Sequence, residues 1–274
     1  MKITGFLTSF LNYLWAWGMF FILFTGCLPI SKQGLLSPAD DLNFGKIIRD
    51  NIAAQPQQFR LLAEVQYPQF YLKLRQIRDQ MLTNPNNVLN YAQRFDWDIR
   101  LIQNDQMVGA FVTPGGYMYC YTGLLKQLQT EDELAALIAL LIVQADQRWV
   151  MQSFVEQYGL TLIEQFSRRK VENDNLLQVF TNQLSLQVII PLRMNPGRQT
   201  QLVQLTTNLL VNSSYACSSL KTLLQNPAIA QSNWRNVLAL TDEVIQAIDN
   251  RVITLGCSTV LSNQNYTQLK NTLP

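Results

Sequence analysis

The sequence predicts a mostly helical chain with one small β-sheet, an α+β class. Three observations point there. The chain has 274 residues and is 48% apolar, enough to bury a substantial core. Apolar residues recur at helical spacing before residue 82 and again from Thr130 nearly to the end. Between those stretches the period shortens to two, as in strands. The net charge is +2, and neither a basic run nor an RNA-binding signature occurs, so nucleic acid is not an expected partner. No repeat of solenoid length is present.

The first 27 residues, "MKITGFLTSFLNYLWAWGMFFILFTGC", carry Lys2, then a long apolar run, then small residues before Cys27. This order is that of an export signal. Thr25-Gly26-Cys27 resembles a bacterial lipobox, in which the cysteine is acylated after cleavage. An uncleaved membrane-spanning helix is the alternative, since about 20 apolar residues span a bilayer. In either case Lys2 stays inside and the body is exported. The expected division is a signal peptide over residues 1–26, a lipidated Cys27 with a tether to residue 40, and one domain over residues 41–274. Membrane attachment through an N-terminal lipid at Cys27, with the domain in the periplasm, follows as an expectation.

A short helix is expected over residues 42–53 and a longer one over residues 57–82. In the second, Phe59, Leu62, Ala63, Phe70, Leu74, Ile77 and Met81 keep helical spacing, and Pro68 predicts a break or kink. "WDIRLIQ" (residues 97–103) and "YMYCYTG" (residues 117–123) alternate as strands, with Pro114-Gly115-Gly116 as a turn. Later punctuation falls at Gly159, Pro191, Asn195-Pro196-Gly197, Asn226-Pro227 and Gly256.

"TEDELAALIALLIVQADQRW" (residues 130–149) opens as a capping box. The Thr130 hydroxyl is placed to take the Glu133 N–H while Glu133 reaches back. Glu131, Asp132 and Glu133 suit the positive end of the helix dipole. From Leu134 to Ala145 the pattern is apolar almost all round, which predicts a central core helix. The chain contains no histidine, and its four cysteines form no C-x-x-C or ribbon spacing.

"GAFVTPGGYMYCYTGLLKQLQTEDELAALIALLIVQADQRW" resembles the active-site region of the HtpX/BepA-like zinc metallopeptidases, which runs roughly NAFxxPGGYIxVYTGLL and then His-Glu-x-x-His. "FRLLAEVQYPQFYLKLRQIRD", "SSYAC" and "DNRVITLGCSTVLSNQNYTQLKNTLP" are similar to other segments of the family. The resemblance implies a zincin-like fold and, in the family, zinc-dependent proteolysis. Residue by residue that chemistry is absent. Leu140 and Gln144 stand where the two histidines belong, and Leu141 stands in place of the general base. Gln199 falls at the glutamate ligand, Val203 at the aspartate that follows it, and Ile245 near a further histidine. Trp149 replaces another. Leucine cannot ligate, and a neutral amide is a poor ligand for Zn²⁺. The expectation is therefore no cofactor, although zinc serves the family.

The resemblance also marks Gly116, Tyr117, Met118, Tyr119 and Tyr121 as an edge strand that pairs with extended polypeptide, as substrate does in the family. A structural hairpin explains the same residues equally well. Asp249, Asn250 and Arg251 are placed to line the cleft or simply to solvate a helix. Asp146 and Arg148 read as a structural polar pair. Cys217 and Cys257 lie in blocks that match the family, which motivates a disulfide, while Cys120 reads as a small apolar sheet residue. The leading reading is a catalytically inactive, peptidase-like envelope lipoprotein that binds proteins or unfolded polypeptide as a scaffold or adaptor. The alternatives are a metalloendopeptidase of envelope protein quality control with displaced ligands, and a domain that only stabilises a larger assembly.

Overall fold

Ser37 starts the first helix. Its hydroxyl accepts from the Asp40 N–H at 3.3 Å, and the Asp40 carboxylate accepts from the Ser37 N–H at 2.7 Å, a complete capping box with Pro38 at the first helical position. The computed structural model describes residues 36–170, 173–185, 196–234, 241–256 and 266–274. Helix α1 (Pro38–Ala53) thus begins inside the stretch expected to be tether, and Leu36 and Asp40 are already buried. The box outweighs the Pro/Ser composition that suggested a linker.

Helix α2 (Pro68–Thr83) also differs from expectation. Pro68 opens it rather than kinking a longer one, because proline has no N–H to give and its ring clashes with a preceding turn of helix. The chain before it is a loop bridged to the sheet through Leu61 and Ile102. Phe59 and Leu62 enter the core from that loop, whereas Ala63 is exposed.

Strands β1 (Ile99–Ile102), β2 (Ala110–Val112) and β3 (Met118–Tyr121) form one sheet in the order β1-β3-β2. β1 runs parallel to β3, with Ile99 opposite Met118, and β2 runs antiparallel to it, with Ala110 opposite Cys120. Strand β2 was not expected, since its three residues are all buried and show no alternation. The turn over Pro114–Gly116 lies against α1. A Cβ on Gly45 would stand 1.9 Å from the Pro114 carbonyl oxygen, and one on Gly115, at φ 79°, would stand 2.9 Å from the Leu42 Cα. Only glycine permits that approach.

Helices α3 (Thr122–Gln127), α4 (Glu131–Asp146), α5 (Trp149–Tyr158), α6 (Leu160–Ser167), α7 (Asp174–Ser185), α8 (Pro196–Asn212), α9 (Ser219–Gln225), α10 (Pro227–Ala230), α11 (Asp242–Leu255) and α12 (Tyr266–Lys270) follow. The fold class is the mostly helical α+β one expected, with one small sheet. Helix α4 is its centre: residues 132–146 are all buried, and the helix packs on α2, α8, α9 and β2. The Thr130 hydroxyl accepts from the Glu133 N–H at 3.1 Å, but Glu133 accepts from the Gln129 N–H, one residue outside the expected box. Among the described residues no single helix is long and apolar enough to cross a membrane. Helices α4 and α5 pass that test only as a pair bent by 53°.

Candidate functional site

Helix α4 carries Leu140, Leu141 and Gln144, the positions that the sequence resemblance sets against a metal site. The side chains of Leu140 and Leu141 are wholly inside, and Gln144, one turn on, is 6% exposed. Each leucine contributes about 1.5–3 kcal/mol of burial. The Gln144 Nε2 is buried with no hydrogen-bond partner among the described residues. That is an unfavourable arrangement for an amide. On α8, which packs across α4, Val203 is buried and Gln199 is half-buried. Ile245 is half-buried on α11. Among the described residues no group of three or more His, Cys, Asp or Glu is placed to hold a metal ion. The donor set at Leu140, Leu141, Gln144 and Gln199 is two hydrocarbons and two neutral amides. It does not fit zinc, which takes imidazole, thiolate or carboxylate.

The expected edge strand is a correction. Strand β3 is the middle of the sheet, hydrogen-bonded by β1 on one side and β2 on the other, so β3 itself has no free main-chain edge for a peptide. Gly116, Tyr117, Met118, Tyr119 and Tyr121 are all buried. The Tyr117 hydroxyl donates to the Asp96 carboxylate. The Tyr119 ring stacks on Phe111 at 4.9 Å, and the Tyr121 hydroxyl donates to the Ser185 carbonyl at 2.8 Å. Burial drives the Tyr119 and Tyr121 phenols well above their ordinary range. The unexpected strand β2 took the edge position, and α7 packs against it.

Asp146 and Arg148 are structural, but they do not pair with each other. The Asp146 carboxylate accepts from the Tyr91 N–H at 2.8 Å, the Asn90 amide at 2.9 Å and the Gln147 amide at 3.1 Å, and burial raises its pKa. Arg148, at φ 55° between α4 and α5, donates instead to Asp41 at 2.6 Å and to the Leu36 carbonyl at 2.8 Å. Asp41 is buried, and that burial pushes its pKa up to about 6 against the pull of Arg148. The sequence singled out Arg148 but gave no sign of Asp41, which looks like any acidic residue in a first helical turn.

Asp249 is bonded to Lys221 at 2.7 Å and Arg251 to Asn208 at 2.6 Å, so both act on neighbouring helices. Exposed Asn250 accepts from Thr254 through its carbonyl. Cys120 is a free thiol in the sheet, wholly buried and pushed up to about 12 by that burial. Cys217 is disulfide-bonded. Its expected partner Cys257 lies outside the described residues, as do Cys27, the signal segment and Pro191.

Residues 72–140 match the model of peptidase family M48. A comparison with curated proteins finds none that matches. The matched stretch runs from α2 through the sheet and ends at Leu140, within α4. Over residues 72–140 the chain is metallopeptidase-like, similar to peptidase family M48.

Proposed function

We propose that this chain is a catalytically inactive relative of the HtpX/BepA-like metallopeptidases, lipid-anchored through Cys27 in a bacterial envelope. In this reading it works as a scaffold or adaptor for other envelope proteins. The observation that carries inactivity is the interior of α4. Leu140 and Leu141 are fully buried where a ligand and a base would have to meet substrate, and Gln144 supplies no electron pair of the needed strength. A peptide cleft along β3 gets no support from its central, buried position. Binding is therefore assigned to the outer surfaces of the domain.

The test is metal content of the purified full chain by elemental analysis, alongside cleavage of unfolded casein. The expected outcome is folded protein with substoichiometric zinc and no chelator-sensitive cleavage. Stoichiometric zinc with cleavage abolished by chelator would overturn the proposal. Incorporation of labelled palmitate that is lost in Cys27→Ala tests the anchor separately.

A further inference from the structure

A second feature of the fold is independent of the metal question. A pocket of about 280 Å³ lies between α1, the end of α6 and the start of α7. A cavity of about 150 Å³ is enough to hold benzene, so this one has room for a small organic molecule. Its apolar wall is Ile47, Phe166 and Leu177.

The polar lining carries both signs of charge. Arg169 and Asp174 both line the pocket, yet neither forms an ion pair with another charged group among the described residues. Asp50, also in the lining, is already engaged by Arg49 at 2.7 Å. Two carboxamides in the lining have their oxygens engaged. The Asn51 Oδ1 accepts from Gln55 and Thr181, and the Asn173 Oδ1 accepts from the Leu176 N–H. Each therefore has its NH₂ end left to donate. The lining thus offers one guanidinium and two amide donors for an oxyanion, one carboxylate without an ion pair among the described residues for a cation, and three apolar side chains.

We infer that this pocket binds a small zwitterion, with an oxyanion and a primary ammonium on a short apolar stem. The oxyanion is held by Arg169, Asn51 and Asn173, the ammonium by Asp174, and the stem lies on Phe166 and Leu177. A free apolar α-amino acid and the phosphoethanolamine portion of a lipid share this chemistry. Opposite charges that line one pocket without an ion pair between them favour a ligand that supplies both complements at once, because an ion with one charge leaves the other group unmatched.

The full chain in a non-ionic detergent is titrated calorimetrically with L-leucine and with sn-glycero-3-phosphoethanolamine. Isovalerate and isopentylamine serve as single-charge controls. Saturable binding of a zwitterion at least tenfold tighter than either control is expected. Arg169→Ala and Asp174→Asn should each weaken it about tenfold, and Leu177→Trp, which fills the pocket, should abolish it. All three variants should keep the wild-type circular dichroism, since Arg169 and Asp174 are exposed and Leu177 is half-buried. Leucine binding alone identifies a free amino acid as the source, and binding of the glycerophosphodiester alone identifies a lipid headgroup. Failure of both zwitterions to bind, equal binding of a control, or binding untouched by the three substitutions overturns the inference.

Discussion

The guanidinium of Arg148 lies 2.6 Å from the carboxylate of Asp41, a residue 107 positions earlier, with both side chains inside the protein. The same guanidinium takes the Leu36 carbonyl at 2.8 Å and the Ser37 carbonyl at 3.3 Å, and stands 5.9 Å from the centre of the Tyr91 ring. One arginine in a left-handed conformation thus ties the bend between α4 and α5 to the first turn of α1. Beside it, Arg168 holds Asp40 at 3.1 Å. Burial pushes that carboxylate up, but the bonds from Arg168 and Ser37 win and keep it below its ordinary value.

Arg148→Met should destabilise the protein by about 3–5 kcal/mol, since it leaves a buried carboxylate and two carbonyls without their donor. The penalty should be greater at pH 8 than at pH 5, where Asp41 can take a proton instead. Asp41→Leu combined with Arg148→Met should recover much of the loss. Urea unfolding of the three proteins at both pH values checks this. A double variant as unstable as the arginine variant would contradict it.

Asp41 also sets a pH dependence of definite sign. Its folded pKa of about 6 lies above the ordinary 3.8, so the folded protein holds this proton more tightly than the unfolded chain. The group's contribution is fully present below about 4 and is lost as pH rises through about 6. The stability difference between wild type and Asp41→Asn, followed from pH 4 to pH 7, should therefore fall with rising pH. A flat difference would show that the group has no raised pKa.

The interior of α4 makes a third expectation. Leu140→Ala should cost about 2–5 kcal/mol. Leu141→Glu should cost at least as much, because it buries an unpaired carboxylate. Leu140→His together with Gln144→His should lower the melting temperature without bringing stoichiometric zinc, as Leu141 and Gln199 still offer no base or carboxylate ligand. Thermal melts with and without zinc report both. A zinc-dependent rise of several degrees would mean that the scaffold still presents a metal site.

Glycines separate packing from backbone strain. Gly45→Ala should cost about 3 kcal/mol or prevent folding, since its Cβ would meet the Pro114 carbonyl at 1.9 Å and the Tyr117 ring at 2.9 Å. Gly159→Ala should cost about 1 kcal/mol, because its surroundings are open and only its φ of 86° opposes a side chain. Denaturant melts rank the two, and comparable losses would remove the close approach of α1 to the turn.

Asp146→Ala should loosen the segment after α2, because three donors from Asn90, Tyr91 and Gln147 lose one acceptor. Faster hydrogen exchange at the Tyr91 amide, with α4 itself still protected, is the expected reading. Unchanged protection at Tyr91 would mean that the carboxylate does not hold the segment.

The sequence by itself determined the class of fold, the central place of α4 and its Thr130 cap. Each rests on local chemistry: a helical period, an apolar run and a hydroxyl three residues from an amide. It also determined what Leu140 and Leu141 cannot do, since no fold gives a leucine an electron pair. The tertiary structure alone decided the rest. Strand order put β3 in the middle, because sheet neighbours are chosen by long-range packing that alternation does not encode. The partner of Arg148 lay 107 residues away and had no marker in its own surroundings. The start of α1 at Pro38 turned on a reciprocal cap at Ser37 and Asp40, which becomes decisive only because the helix behind it has a core to cover.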